Sequence, residues 1–329
     1  MAVSCTTTST IITTSNFLSF GKGTHEGAFF VLTLANKSVI IHIQRKDIKM
    51  ADKIQNRVEE HLGAIIATGK YWQYPYLVCA ANGSMNYNLW DEESDVDTKL
   101  LMIPTAHDLF LDKKHLNKVE IMDNGEHCTV KDFRDYFKIL HKANINFLEI
   151  LCTEYYIVNP QYKIYWEYLR KHCNDIANLN PQKLIFSSLG MAMEKAKKIC
   201  HDSPANHELI EKYGYVAKEL QHIMRLYLFV KRYIIDGAPF SQAIWVDGYD
   251  SFGKESMYRD EMMDIKRYRI VFTPEDAKLK AENYVMKLDE LIENNSKFIP
   301  KPSKDAVDVL ESTQFAIMNN YMSAAYNKR

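Results

Sequence analysis

The sequence predicts an α/β domain with a small mixed sheet, followed by a mainly α-helical domain. Two patterns predict this fold class. As far as about residue 160, short apolar runs typical of strands alternate with helical segments. After residue 160 the apolar residues recur at helical spacing almost to the end of the chain. The chain has 329 residues, a length that favours two domains.

The predicted sheet begins with the apolar run 76–81, which ends at a turn formed by Gly83 and Ser84. A second strand runs from Val96 to Ile103, because apolar residues follow directly after an acidic segment. The further predicted elements of this domain are strands at 118–122 and 127–131 and a helix at 132–143.

Proline and glycine residues divide the second domain into separate helices. The segment 240–258 is aromatic and contains glycine without a clear period, so we interpret it as an extended loop with a short helix at most. The predicted helices are 161–178, 182–201, 206–236, 274–294 and 304–325.

The first 49 residues differ from the rest of the chain. Thr and Ser dominate 4–15, and no Lys or Arg precedes Lys22, whereas a secretory signal needs an early positive region. The apolar stretch 29–43 is interrupted by polar residues and is too short for a membrane span. We interpret residues 1–49 as a weakly structured or poorly ordered extension, with a strand pair within 28–44 as the alternative. The predicted domains are then 50–160 and 161–329.

Composition indicates an ordinary globular protein in a reducing compartment. The formal net charge is -1, so any contact with nucleic acid must come from local patches, such as the basic clusters at 195–198 and 266–269. Each cluster is equally typical of a solvated helix face. The six cysteines form no Cys-x-x-Cys pair, which favours free thiols in the cytoplasm and argues against a zinc site.

The segment from Gly83 to Asp97 is the strongest candidate site. Gly83 and Ser84 end an apolar strand, where free backbone N–H groups and a hydroxyl can face a phosphate. Side chains alternate along a strand, so Asp95 and Asp97 are predicted on one face, with Val96 packing on the other. Paired carboxylates suit Mg²⁺ or Mn²⁺. The alternative is a solvated acidic turn, which would not require the flanking apolar strands.

The same segment carries a resemblance to a known family. The sequence GSMNYNLWDEESDVDTKLL resembles the Gly-Ser, spacer, Asp-x-Asp motif of the DNA polymerase beta nucleotidyltransferase superfamily. The chain is most similar to the RNA-repair-pathway polymerase-beta family of predicted nucleotidyltransferases. Two further segments support this match, NINFLEIL at 144–151 and GYVAKELQHIMRL at 214–226. The resemblance extends from about residue 50 to about residue 290.

The resemblance implies a nucleotidyltransferase domain that binds a nucleoside triphosphate and two divalent cations. Asp95 and Asp97 would be the metal ligands, and Gly83 and Ser84 would hold the phosphates. A third carboxylate is expected just before the helix that begins near Asp132, and Glu126 is our choice as a metal ligand and catalytic residue. The alternative acids are Glu120 and Asp123. Counted back from the segment Asp132-Phe-Arg134, the family spacing places His127, which is not an acid, nearest the expected position.

Three polar residues in the helical domain share one helix face. Lys218, His222 and Arg225 are spaced i, i+4 and i+7. The resemblance implies that Lys218 and Arg225 contact the nucleotide from across the cleft, with His222 beside them; a solvated basic stripe is the alternative. Glu149, within an apolar stretch, is expected to pair with Arg134 or Lys131.

Together these features predict a cytoplasmic, metal-dependent enzyme without a membrane partner. It would transfer a nucleoside monophosphate from an NTP such as ATP to a hydroxyl group and release pyrophosphate. The acceptor stays open between an RNA end, a protein and a small molecule. The alternative function is that of a nucleotide-binding sensor or toxin–antitoxin component without turnover.

Overall fold

The computed structural model describes residues 10–13, 16–22, 27–34, 37–113, 115–246 and 258–326, with side chains between residues 51 and 324 of these ranges. The chain divides into two compact units, Met1–Arg57 and Val58–Arg329. None of the described helices combines the length and the apolar character needed to span a bilayer.

The first unit contains a four-stranded antiparallel sheet, in which the strands lie in the order of the chain. Its last two strands form a pair at the position of the alternative that the sequence offered within 28–44. Within residues 1–49, the segments 1–9, 14–15, 23–26 and 35–36 lie outside the described residues. The strands are β1 (Thr10–Thr13), β2 (Asn16–Lys22), β3 (Gly27–Leu34) and β4 (Lys37–Gln44), and helix α1 (Arg45–Ala67) follows them.

The second unit contains the mixed sheet that the sequence predicts. This sheet has five strands, which are β5 (Tyr76–Asn82), β6 (Asp97–Met102), β7 (Asn117–Ile121), β8 (His127–Asp132) and β9 (Tyr156–Val158). They lie in the order β7-β8-β6-β5-β9. The β6–β8 pair is parallel, whereas the other pairs are antiparallel. Strand β9 was not anticipated from the sequence.

Helices dominate the chain after the sheet, as predicted. Three short helices accompany the sheet: α2 (Ala106–Phe110), α3 (Phe133–His141) and α4 (Ile145–Leu148). The later helices are α5 (Lys163–Lys171), α6 (Cys173–Ala177), α7 (Pro181–Lys198), α8 (His207–Tyr213), α9 (Ala217–Ile234), α10 (Phe240–Ala243), α11 (Tyr258–Lys266), α12 (Pro274–Asn294) and α13 (Asp305–Tyr326).

Two of the predicted helices are each divided into two. The segment 161–178 forms α5 and α6, and the segment 206–236 forms α8 and α9. Gly214 ends α8 in the left-handed conformation, with φ of 75°. Glycine adopts this conformation without the steric cost that a Cβ atom adds. Of the predicted loop at 240–258, residues 247–257 lie outside the described residues.

One apolar core connects the sheet to the helices of the second unit. Leu77 and Leu101 of the sheet, Phe133 of α3, Trp166 of α5 and Phe229 of α9 are all almost completely buried and belong to one cluster. Because the cluster is continuous, it fixes α9 relative to strands β5 and β6. A site formed by both the sheet and α9 is therefore held by packing.

Gly214 provides a direct test of the helix division. A Cβ atom at this position would collide with the ring of Pro274, in addition to straining the backbone. We expect Gly214→Ala to lower the free energy of unfolding by about 2–4 kcal/mol, measured by urea denaturation. Gly237→Ala is the matched control, because Gly237 has φ of 62° but no described atom within 4 Å of a Cβ atom. Equal losses in the two variants would contradict the steric role of Pro274.

Candidate functional site

A cavity of about 640 Å³ lies between the ends of β5 and β6 and the helices that follow. It brings together seven of the eight residues that the sequence singles out. Those that line it are Gly83, Ser84, Asp95, Asp97, Lys218, His222 and Arg225. Glu126 does not line it.

The turn after β5 forms as predicted, with one difference. Gly83 has φ of 95°, and a short 3-10 helix at Ser84–Tyr87 follows it. The Gly83 N–H donates to Oε1 of Glu149 over 3.2 Å, so this donor already has a partner within the protein. Ser84 lies at the cavity wall and remains the side chain of the turn that can face a ligand.

The two aspartates are held in different ways. Strand β6 begins at Asp97, which pairs with Asn82 in β5, and its Oδ1 accepts the His127 N–H over 3.0 Å. Asp95 lies before the strand in an exposed loop, so the prediction that both acids belong to one strand is wrong. Val96 between them is fully buried, as predicted.

The carboxylate of Glu126 supports the acidic loop from inside the protein. Its Oε1 accepts the Val96 N–H over 3.0 Å, and its Oε2 accepts from the Asn124 amide over 2.8 Å. The Nε2 atom of His61 lies 3.1 Å from the same oxygen. With 7% of its surface exposed, Glu126 faces these partners and does not line the cavity. Its role as a ligand stays a prediction.

The alternative acids do not line the cavity either. Glu120 forms an ion pair with Lys70, and Asp123 is exposed. His127, which the family spacing favours, lies beside Asp97, with its Nδ1 atom 3.4 Å from Oδ1.

The predicted face of α9 forms one wall of the cavity. Arg225 is only 5% exposed, and its Nε and Nη1 atoms are buried without a hydrogen-bond partner among the described residues. The guanidinium lies 3.7 Å from the centre of the Tyr87 ring, a cation–π contact. Burial lowers the pKa of Arg225 to about 10, although the charge of Glu149 opposes this shift. Within the same described part of the chain, Gln221 and His222 also have buried nitrogen atoms without a partner.

Two buried titratable side chains, Glu149 and Lys99, also line the cavity. Glu149 is 1% exposed, and its Oε1 lies 3.8 Å from Nζ of Lys99. Its Oε2 accepts no hydrogen bond from any residue that the structure describes. Burial raises the pKa of Glu149 to about 8, against the opposing effects of Arg225 and the Gly83 N–H. Burial likewise lowers the pKa of Lys99 to about 7.

The partners expected for Glu149 are wrong. Arg134 instead pairs with Asp132, with Nη2 and Oδ2 2.8 Å apart, and Lys131 donates to Asn117 over 3.1 Å. Lys99 was missed, although strand alternation from Asp97 would have placed it on the same face.

Three more cationic side chains at the cavity were also missed as site residues. Lys195, Lys266 and Arg267 belong to the basic clusters, which the sequence left open as solvated faces. Each has a partner within the protein. Lys195 pairs with Glu219 over 2.7 Å, Arg267 pairs with Asp91, and Lys266 donates to the Ser94 hydroxyl over 2.9 Å.

Metal binding at this cavity would depend on its carboxylates. In the part of the chain that the structure describes, no group of three or more His, Cys, Asp or Glu residues is arranged to hold a metal ion. Magnesium at phosphate-transfer sites is commonly held by one or two carboxylates together with phosphate oxygens of the substrate. Asp95 and Asp97 fit that pattern, in which the ligand completes the coordination.

No model of a known protein family and no curated protein matches this chain.

The pKa of Glu149 leads to a pH-dependent prediction. Because its pKa is raised in the folded protein, Glu149 lowers stability as the pH rises from about 4.5 to about 8. We expect Glu149→Gln, which keeps an acceptor for the Gly83 N–H, to gain stability relative to the wild type between pH 5 and pH 8, by an amount on the order of 3 kcal/mol. Urea denaturation across this range measures the difference. Glu154→Gln, at an exposed glutamate, is the control, and an identical pH dependence of Glu149→Gln and wild type would refute the assignment.

Proposed function

We propose that the protein is a metal-dependent nucleotidyltransferase with a polymerase-beta-like domain. It would bind a nucleoside triphosphate in the cavity and transfer the nucleoside monophosphate to a hydroxyl group. The cation is magnesium or manganese. The acceptor is an RNA end, a protein or a small molecule.

The unpaired donors of Arg225 carry this proposal. A buried polar group without a hydrogen bond costs about 1–3 kcal/mol, and a charged group costs more. A guanidinium that is buried at a cavity, with two nitrogen atoms unsatisfied by the described residues, is therefore best explained by an anionic ligand. Lys218 lies two helical turns earlier on the same wall, and a chain of phosphates can contact both.

The cavity wall opposite α9 supplies groups that can bind the remaining phosphate oxygens and the metal ions. Ser84 can donate its hydroxyl to a phosphate oxygen, and Asp95 and Asp97 would hold the metal ions. Bound magnesium or manganese would neutralise phosphate charge and lower the pKa of the acceptor hydroxyl. The position of Asp97 between β5 and β8 keeps its carboxylate fixed while a ligand enters.

The reaction is an in-line displacement at the α-phosphorus. The acceptor oxygen forms a bond to this phosphorus, and the bond to the bridging oxygen of the leaving group breaks. The electron pair leaves with pyrophosphate, and the hydroxyl proton passes to solvent. Lys218 and Arg225 would stabilise the charge that develops on the leaving phosphates.

One observation favours the second function, nucleotide binding without turnover as a sensor or toxin–antitoxin component. Glu126, the predicted third metal ligand, does not line the cavity, and the other acids there besides Asp95 and Asp97, Glu93 and Glu149, are paired with Arg267 and Lys99. The experiment below separates the two functions.

The transfer reaction is tested by incubating the protein with labelled triphosphates, Mg²⁺ or Mn²⁺, and pools of RNA, protein and small molecules. We expect label transfer by the wild type and a loss of about 100-fold or more in Asp97→Asn, because that change removes a charged metal ligand. Asp308→Asn, at an exposed aspartate outside the cavity, is the control. Triphosphate binding without transfer would favour the sensor, and transfer unaffected by Asp97→Asn would refute the site.

The role of Arg225 is tested separately by ligand binding. We expect Arg225→Met to weaken binding of the triphosphate by about 10- to 100-fold, since a hydrogen bond to a charged group contributes about 1.5–3 kcal/mol. Isothermal titration calorimetry provides the dissociation constant, and circular dichroism verifies the fold. Lys231→Met, on the same helix but outside the cavity, is the matched control. Equal affinities of Arg225→Met and the control would contradict phosphate binding by Arg225.

A further inference from the structure

The position of Asp95 depends on a loop, because strand β6 begins only at Asp97. Asp97 is fixed by the hydrogen-bonded ladder of the sheet, whereas Asp95 is exposed and lies outside it. The Glu126 carboxylate holds the loop on the C-terminal side of Asp95, at Val96. The contacts on its N-terminal side must therefore decide where this carboxylate lies.

Arg267 provides the contacts to the Asp91 carboxylate from the end of α11, next to Lys266, which also donates to the Ser94 hydroxyl. Its Nε donates to Oδ2 of Asp91 over 2.8 Å, and its Nη2 donates to Oδ1 of the same carboxylate. Nη2 also donates to the Ser94 hydroxyl over 3.1 Å, next to Asp95. The Ser94 hydroxyl in turn donates to Asp91 over 2.7 Å. A planar guanidinium bound to both oxygens of one carboxylate defines a single geometry.

These contacts occupy the Nε and Nη2 donors of Arg267, so that this edge of the guanidinium is not available to a phosphate. The hydrogen bond and charge of Asp91 raise the pKa of Arg267, despite partial burial. Burial raises the pKa of Asp91, but hydrogen bonds from Arg267 and Ser94 outweigh this effect and hold it below its usual range. The pair is thus stable without a ligand. Arg225 differs from Arg267, because two of its nitrogen atoms have no hydrogen-bond partner among the described residues.

The residue after Arg267 makes a second connection. Tyr268 has φ of 54°, a left-handed conformation that is strained for a bulky residue. Its hydroxyl donates to the Tyr215 carbonyl over 3.0 Å and accepts the Ala217 N–H over 3.1 Å, at the first residue of α9. Arg267 therefore contacts the acidic loop, while the next residue, Tyr268, contacts the start of α9.

We propose that Arg267 is a positioning residue, which holds the loop of Asp95 through Asp91 and Ser94 and does not bind the phosphates. This inference rests on the proposed function, in which Asp95 binds a metal ion. Arg267 would then act on the metal affinity through Asp95, while triphosphate affinity depends on Lys218 and Arg225.

The test compares Arg267→Gln, Asp91→Asn and the double variant. Loss of a group that orients a ligand typically lowers metal affinity by about 10- to 100-fold. We expect each single variant to raise the Mn²⁺ dissociation constant by about tenfold or more, measured by electron paramagnetic resonance with a non-hydrolysable triphosphate present. The double variant should not exceed the worse single variant by more than about twofold, because both changes break the same contact.

Arg267→Lys separates positioning from direct phosphate binding. Lysine keeps the charge but cannot bind both oxygens of Asp91 in the same plane, so it should not restore Mn²⁺ affinity. Affinity for inorganic triphosphate without metal should stay within about twofold of wild type in all these variants. Arg269→Gln and Asp264→Asn are the matched controls, because this pair lies beside Arg267 on the surface, with Nη1 and Oδ1 3.1 Å apart.

A direct phosphate role would give the opposite pattern. Arg267→Gln would then weaken metal-free triphosphate binding, Arg267→Lys would restore it, and Asp91→Asn would strengthen it by releasing Arg267. That pattern overturns the inference, as does unchanged Mn²⁺ affinity in Arg267→Gln and Asp91→Asn. If the wild type binds neither Mn²⁺ nor triphosphate, the proposed function fails and the inference fails with it. Thermal unfolding monitored by circular dichroism verifies that each variant is folded.

Discussion

The cavity depends on one buried carboxylate, that of Glu149. It accepts the N–H of Gly83 in the turn after β5, lies 3.8 Å from Lys99 of β6, and faces the charge of Arg225 from α9. A carboxylate in the protein interior is unfavourable unless nearby charges and donors compensate for its lost hydration. The interactions of Glu149 link the turn after β5, strand β6 and helix α9, although burial still raises its pKa to about 8. Where they meet, the described residues leave the second oxygen of Glu149 and two nitrogen atoms of Arg225 unsatisfied.

The sheet and the helices contribute to this site in different ways. Strands β5 and β6 fix the backbone, so Gly83 and Asp97 have positions set by a hydrogen-bonded ladder. Helix α9 contributes side chains, and its position relative to the sheet is set by the apolar core that contains Phe229, Leu77 and Leu101. Polar contacts at the cavity then form between side chains of the elements that the core holds together. Lys195 and Lys266 have protein partners there, whereas Arg225 retains donors that no described residue pairs.

Local patterns predicted most of the fold and much of the candidate site. The Gly83-Ser84 turn and the helical spacing of Lys218 and Arg225 each depend on a few neighbouring residues, and all four residues line one cavity. Strand alternation was a weaker guide, because Asp95 lies before β6. The division of the chain into domains at residues 49 and 160 stays a prediction. The division of α8 from α9 was missed, because a glycine within a helical pattern is also compatible with a continuous helix.

The contacts that the sequence did not predict join distant parts of the chain. Glu149 and Gly83 are 66 residues apart, and Arg267 and Asp91 are 176 residues apart. Which charged residues pair across such distances is decided by the packing of whole elements, for which a single sequence contains no local signal. Glu126 illustrates the same limit. Its position near the acidic loop was predicted, but the direction of its carboxylate depends on His61, which contacts it from α1.

The unequal anchoring of the two aspartates has a consequence for how the site can vary among related sequences. The pairing of Asn82 with Asp97 fixes one acid, while the other is at the end of a loop that starts after a 3-10 helix. A change in the number of residues between Asp91 and Asp95 would move only the second acid. The length of this loop therefore affects the direction of the second carboxylate, while Val96 and the sheet keep the first in place.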